Sequence, residues 1–321
     1  MRTILVTGAN GFVGRAVCRV LLAAGHRVRA GVRRPETAPP GTEPVQVTDL
    51  GPGADWRHVI TGADSVVHLA ARVHVMAEKE PDPLAAFRYI NTFGTETLAE
   101  QAASRGVARF VFMSTVKVHG ERTHGRPFST ADAPRPTDPY AISKLEAEGI
   151  LARIAPETGM KIAAFRPPLV YGPGVKGNFL SLMQAVEAGK MLPVGAIDNR
   201  RSLIFVDNLA GAVLAALEEP VPAPFEPFLV KDGEDVSTPE LVRRLGSALG
   251  RQPRLLAIGE TWLRLAGRLT GRSAMIQRLT ESLEVDDGPT RERLGWVPTH
   301  SLDAGLAVTA AWFREGTGGI V

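Results

Sequence analysis

The chain has 321 residues, 44% of them hydrophobic, with an excess of three positive charges and a single cysteine, Cys18. That is enough apolar material for one large domain or two associated ones, and it excludes a disulfide framework and a thiolate metal centre. The small charge excess, spread through helical segments mixed with acids, argues against nucleic-acid binding. No apolar run reaches the roughly 18 residues that a membrane span needs. Met1 to Gly8 run straight into a glycine motif, so no signal peptide is expected. The expectation is a cytoplasmic protein with no membrane partner.

Short β-branched runs alternate with longer helical stretches through the first half, as strands and crossover helices do in a parallel sheet. Strands are predicted at Thr3–Thr7, Arg27–Val32, Val45–Val47, Ser65–Leu69, Phe110–Ser114 and Lys161–Arg166. Helices are predicted at about Phe12–Ala24, which Gly25 can end, at Leu84–Arg105 and at Tyr140–Ile154. The fold class is therefore α/β, a Rossmann-type doubly wound parallel sheet with a smaller C-terminal substrate-binding region. Residues 1–166 are expected to form the dinucleotide-binding domain, with a return around 201–220. Residues 167–321 are expected to be mainly substrate-binding and interleaved with the first part. Beyond Pro167-Pro168 the alternation fades into short helices near Phe179–Ala188 and Pro239–Ala248, while Pro35–Pro44 and Pro220–Pro227 read as loops.

Gly8-x-x-Gly11-x-x-Gly14 follows the first strand and opens the first helix. Glycines at that spacing permit a tight turn, close approach of backbone to a pyrophosphate, and close packing of helix on sheet. NAD-binding versions place an acid at the end of the second strand to hold the ribose 2′-hydroxyl. Here that strand ends in Val32, Arg33 and Arg34. A guanidinium suits a 2′-phosphate, so Arg33 favours NADP(H), with NAD(H) as the alternative if both arginines are solvated loop residues. Asp49 and Leu50, after the third strand, are placed to contact the adenine.

Tyr140 and Lys144 are four residues apart and so share one helical face. An ammonium near a phenol favours the phenolate and lowers a pKa of about 10, which suits proton exchange with an alcohol or ketone. His68, His74 and His119 are not spaced to put three imidazoles on one face, and no metal is expected.

Taken with these features, eight segments resemble the extended short-chain dehydrogenase/reductase family, in its nucleotide-sugar epimerase, dehydratase and reductase branch. They are Thr7–Gly14, His68–Ala71, Asn91–Thr95, Ser114–Gly120, Tyr140–Lys144, Arg166–Gly174, Arg201–Asn208 and Leu294–Trp296, in the family's order and across nearly the whole chain. The resemblance implies that Tyr140 is the acid/base, that Lys144 anchors the nicotinamide ribose, and that Thr115 hydrogen-bonds the reacting oxygen beside Ser114. It implies a cofactor site of Gly8, Asn10, Gly11, Phe12, Val13, Gly14, Arg33, Asp49, Leu50, Leu69, Ala70, Ala71, Asn91, Ser114, Tyr140, Lys144 and Pro167. Thr115, Asn178, Arg201 and Arg278 would meet a UDP-sugar substrate, Arg278 having a surface role as its alternative. A homodimer through the helices near Thr95–Ser104 and Tyr140–Ile154 is also implied.

In the 4,6-dehydratases of this branch the threonine is followed by Asp and Glu, which carry out the elimination. Val116 and Lys117 stand there instead, so dehydration is rejected. Two reactions remain. The first is NADPH-dependent reduction at C4 of a UDP-linked 4-keto-(6-deoxy) sugar, an N-acetylhexosamine, for surface polysaccharide precursors. The alternative is an NAD-dependent C4 epimerase of UDP-hexose or UDP-N-acetylhexosamine. The absent acid and Arg33 favour the reductase. His119, where the family pattern has Tyr, either tunes the sugar pocket or changes packing, and Lys117 is open in the same way.

Overall fold

β1 (Thr3–Thr7) lies inside a parallel sheet, and its alternation sets the layers: Ile4 and Val6 pack into one hydrophobic cluster and Leu5 into another. The computed structural model describes residues 1–73, 80–219, 222–271 and 273–317. After β1 come α1 (Phe12–Ala23), β2 (Arg27–Val32), β3 (Glu43–Gln46), the short α2 (Arg57–Ile60), β4 (Ser65–His68), α3 (Pro83–Phe87), a π-helical segment (Arg88–Phe93), α4 (Gly94–Ser104), β5 (Arg109–Met113), α5 (Pro139–Thr158) and β6 (Lys161–Arg166). The second half adds β7 (Leu169–Tyr171), α6 (Gly177–Glu187), β8 (Met191–Leu192), β9 (Arg201–Phe205), α7 (Val206–Glu218), β10 (Phe225–Leu229), β11 (Asp235–Val236), α8 (Thr238–Leu249) and β12 (Arg254–Leu255). It ends with α9 (Glu260–Leu269), α10 (Ser273–Thr280), α11 (Gly288–Leu294) and α12 (Leu302–Thr317).

The main sheet has seven strands in the order β3-β2-β1-β4-β5-β6-β10, every pair parallel. Val17 and Leu21 of α1 meet Leu209 and Val213 of α7 on one face, while Leu98 of α4 and Leu151 of α5 cover the other. Full burial of each such side chain favours folding by roughly 1.5–3 kcal/mol. Between β1 and β4 the strand order reverses, which opens a crevice at the carboxyl ends of those strands. This is a doubly wound Rossmann-type fold.

Two expectations are corrected. The loop predicted at Pro220–Pro227 gives way to β10, which pairs in register with β6 and makes one edge of the sheet. The single helix predicted over Leu84–Arg105 is interrupted by the π-helical segment, whose wider turn carries the buried Asn91 and Thr92.

Beyond the main sheet, β7 pairs parallel with β9, β9 antiparallel with β11, and β8 parallel with β12. One buried knot fixes this region. Tyr171 Oη donates to Asp232 at 2.7 Å, and Asp232 also accepts from the Phe205 amide and Asn208 Nδ2, each at 2.8 Å. Among the described residues, no helix is long and apolar enough to cross a membrane.

Candidate active site

The glycine loop is shaped by two close approaches. Gly8 has φ +66°, and a Cβ there would come 2.8 Å from the Ala70 amide nitrogen, against the strand end of β4. A Cβ at Gly14 would overlap the Gly8 carbonyl and lie 2.7 Å from that of Ala9. The N-cap of α1 is Gly11, with no side chain capping the helix, so the first-turn amides near Phe12 and Val13 are left for an anion. These residues fit a dinucleotide pyrophosphate. Asn10 works within the loop, its Nδ2 donating to Thr37 Oγ1 at 2.9 Å and its carbonyl accepting from Arg15 Nε at 3.1 Å.

Thr7 ties the loop to β4. Its hydroxyl oxygen accepts from the Leu69 and Ala70 amides, each at 3.2 Å, and lies 2.7 Å from His68 Nδ1; Ala71 follows, partly buried. Thr95 donates its proton to the Asn91 carbonyl at 2.7 Å, so towards His68 Nε2, 3.1 Å away, its oxygen accepts. The network therefore assigns the proton to Nε2 and leaves Nδ1 to accept from Thr7. Burial, with the Lys144 charge adding to it, pushes His68 down to about 3, so the ring is neutral. Asn91 clamps the backbone beyond β4: its Oδ1 accepts from the Arg72 amide at 2.8 Å, and its Nδ2 donates to the Arg72 carbonyl at 3.0 Å and to Ser143 Oγ at 3.1 Å.

Arg33 is exposed at the carboxyl end of β2, just past the buried Val32. Asp49 Oδ1 accepts from the Leu50 and Gly51 amides at 2.7 and 2.9 Å, so that oxygen shapes a turn. Leu50 is partly buried beside the π segment.

At the end of β5, Ser114 and Thr115 are buried, and Thr115 Oγ1 accepts from the Lys117 amide at 3.3 Å. Asp138 caps α5 by accepting from the Ala141 amide at 2.7 Å, with Pro139 in the first turn, and this start presents Tyr140. Lys117 Nζ reaches Asp138 at 2.7 Å and Glu121 at 2.9 Å. The turn after Thr115 is thereby tied to the helix that carries Tyr140. The Pro167 carbonyl accepts from the Val116 amide at 3.0 Å, joining the end of β6 to the same turn.

Lys144 is buried, donates to the Met113 carbonyl at 2.9 Å and lies 4.5 Å from the centre of the Phe112 ring. Burial pulls it down to about 7, against the opposing pull of Glu148. Tyr140 is partly buried and packs edge-on to Phe87, with ring centres 6.0 Å apart. Burial, with Asp138 adding to it, pushes the phenol up. The depression expected from the i, i+4 pairing is thus not delivered by the protein's own charges: Lys144 turns its ammonium to a carbonyl of β5, and burial dominates at Tyr140.

Sequence reasoning missed Glu148. It lies one further helical step along the Tyr140–Lys144 face, and its burial beside them is the signal that spacing alone could have raised. Its carboxylate accepts from Ser114 Oγ and from Arg166, whose Nε is 3.1 Å from each oxygen. Arg166 Nη1 donates in turn to His119 Nε2 at 2.9 Å, and His119 stacks on Phe128 at 5.4 Å. Burial and then the Arg166 charge pull His119 down to about 4. Its neutral ring completes a buried chain from the end of β5 to the end of β6.

Arg201 Nη1 donates to the carbonyls of Arg278 at 2.8 Å and Glu281 at 3.1 Å, so Arg201 and the end of α10 are held together. Asn199, also missed, binds the same segment through the Leu279 and Glu281 carbonyls, each at 3.1 Å. Arg278 is exposed, and Asn178 is exposed in the first turn of α6. Among the described residues, no group of three or more His, Cys, Asp or Glu could hold a metal, and His74 lies outside them.

A glycine-cradled helix N-terminus lies at the switch point, with Tyr140 and the buried Lys144 beyond the end of β5, an arrangement that fits a nicotinamide dinucleotide. The NAD dependent epimerase/dehydratase family matches residues 4–228, and the chain belongs to this family of enzymes. It is 42% identical over 317 residues to a UDP-glucose 4-epimerase of Vibrio cholerae, covering 98% of this chain and 96% of that protein. It is 30% identical to a 2-alkyl-3-oxoalkanoate reductase of Stenotrophomonas maltophilia, covering 94% of this chain and 97% of the relative. Among solved structures it resembles the UDP-glucose 4-epimerase of Thermus thermophilus in complex with NAD, with a TM-score of 0.76 at 25% identity over 99% and 100% of the two chains.

Proposed function

We propose that the protein is an NAD-dependent C4 epimerase of a UDP-hexose or UDP-N-acetylhexosamine. The observation that carries the reading is the 42% identity to a UDP-glucose 4-epimerase along 98% of the chain. The site chemistry is consistent with it. Bound dinucleotide would take a hydride from C4 and return it to the other face. Tyr140 removes the hydroxyl proton as the hydride leaves and gives it back as the hydride returns. Thr115 orients that oxygen, and Lys144 would meet the nicotinamide ribose. Val116 is buried and apolar and Lys117 is held by two carboxylates, so neither serves an elimination of water. Arg201 would position the Arg278 segment towards the substrate diphosphate, with Asn178 at the start of α6.

A second reading, the NADPH-dependent 4-ketoreductase, is favoured by one observation: β2 ends without an acid, and the guanidinium that follows, Arg33, is exposed. One experiment separates the two. Nucleotide released from purified protein is identified, and interconversion of UDP-glucose with UDP-galactose, and of their N-acetylated counterparts, is followed without added cofactor. Retained NAD and turnover of either pair support the epimerase. Exchangeable NADPH bound at least about tenfold tighter than NADH, or about 1.4 kcal/mol, with no interconversion, transfers the assignment to the reductase.

The outer faces of α4 and α5 are proposed to pair two copies. Phe93, at the end of the π-helical segment that leads into α4, is 44% exposed and helps to line a concavity of about 450 Å³ with Ile150, Arg88 and Glu146. Light scattering that gives a monomer mass would remove this pairing.

A further inference from the structure

α9 has two apolar faces. At 100° per residue, Leu263 and Gly267 share the inward side and are buried, Gly267 against Ile276 of α10. Trp262, Leu265 and Leu269 fall within about 60° of one another on the outward side. They are 68%, 46% and 80% exposed. A helix that served only to cover the fold would turn those three residues inward.

The stretch of sequence that contains α9 is also basic. From Arg254 to Thr280 the sequence holds five arginines, Arg254, Arg264, Arg268, Arg272 and Arg278, against one acid, Glu260. That is a net +4 in a chain whose total is +3, so the remainder sums to −1. Arg264 and Arg268 lie on one shoulder of the exposed stripe. Arg264 pairs with Glu260 at 2.7 Å and lies 3.9 Å from Glu281, just beyond that stretch, whereas Arg268 makes no ion pair among the described residues.

We propose that α9 docks on an anionic lipid surface. Trp262, Leu265 and Leu269 enter the boundary between headgroups and acyl chains, and Arg268, with Arg264 on the same shoulder of the helix, meets headgroup phosphates. A tryptophan with leucines on one face and arginines on its flank is the composition that lies in a membrane interface without spanning it. Such docking is peripheral, and it departs from the absence of a membrane partner expected from hydropathy, because hydropathy detects spans and not stripes. The α4–α5 face proposed for pairing does not use α9, so the stripe stays open in that dimer.

The test uses the full chain and sedimentation with vesicles of phosphatidylcholine alone or mixed with phosphatidylglycerol. Wild type is expected to pellet with the anionic vesicles only, to be released by added salt, and to show a blue shift of tryptophan emission that Trp262→Phe abolishes. Leu265→Gln/Leu269→Gln is expected to lower the partition constant at least about tenfold, with circular dichroism and dinucleotide binding unchanged. Wild type that stays in the supernatant with anionic vesicles, or a double variant that binds them like wild type, overturns the proposal. If sedimentation velocity without lipid shows a wild-type oligomer that the double variant dissolves, a second copy covers the stripe and the lipid assignment falls.

Discussion

Lys117 places its ammonium 2.7 Å from the carboxylate of Asp138, the residue that caps the helix presenting Tyr140. The pair does two things at once. It fixes the start of α5 against the turn that follows Thr115, and it offsets a negative charge that raises the proton affinity of Tyr140. The charge that acts on that phenol is Asp138, and the Phe87 ring from α3 packs against it. Lys117→Met is expected to cost about 1 kcal/mol of stability, since both partners are partly open to solvent. Whichever limb of the kcat/KM profile reports Tyr140 should move to higher pH, and Lys117→Arg should restore it. An unmoved limb removes the tuning role and leaves only the structural one.

Tyr140→Phe isolates the proton transfer. The ring stays against Phe87 and only the hydroxyl is lost, so stability should change by less than about 1 kcal/mol. Dinucleotide affinity should stay near that of wild type, while turnover falls by about 10²–10⁴. Steady-state rates beside a dinucleotide titration check both halves, and unchanged turnover would take Tyr140 out of the chemistry.

Gly14→Ala tests the cradle. The added methyl would meet the carbonyls of Gly8 and Ala9, both backbone atoms that a rotamer change cannot move aside. The N-terminus of α1 must then shift from the loop, and overpacking of this kind costs about 1–3 kcal/mol. Dinucleotide affinity is expected to fall more than about tenfold, read by titration. Wild-type affinity in a folded variant would show that this end of the helix does not bear on the phosphates.

How much of this was legible in the sequence depended on where the decisive force lay. β1, β2 and β6 fell where their runs of β-branched and apolar residues placed them. At the two edges of the main sheet the pattern begins β3 two residues late, at Val45, and makes β10 a loop, for one reason. β3 contains Pro44 and β10 contains Pro227, and proline reads as a strand breaker although an edge strand, unpaired on one side, tolerates it. The π-helical segment left no composition signal, because its wide turn is set by the clamp of Asn91 on Arg72 and Ser143. In the site, the glycine spacing and the Tyr140–Lys144 step were readable as local pattern. The buried Ser114–Glu148–Arg166–His119 chain joins β5, α5 and β6 through hydrogen-bonded pairs up to 47 residues apart in sequence, a juxtaposition that only the fold creates.

Lys144 gives the sharpest test, because its function opposes its stability. The residue is buried, and its pKa falls from 10.5 to about 7 mainly because burial disfavours the charged form. Below pH 7 the lysine is protonated both folded and unfolded, and the fold carries the full cost of an enclosed charge. Between pH 7 and 10.5 the unfolded chain binds more protons than the folded one, so this group's contribution makes stability rise with pH across that window. Above it, both forms are neutral and the cost is gone. Lys144→Met keeps the aliphatic stem over Phe112 and removes the charge, at the loss of the hydrogen bond to the Met113 carbonyl. The variant should therefore be more stable than wild type by about 1–3 kcal/mol at pH 6, once that lost bond is discounted. The gap should close as the pH approaches 10, while turnover collapses at every pH. Denaturant midpoints of both proteins at three pH values measure it. A variant less stable at pH 6, or a gap that does not narrow with pH, would mean that Lys144 is not held against a desolvation cost.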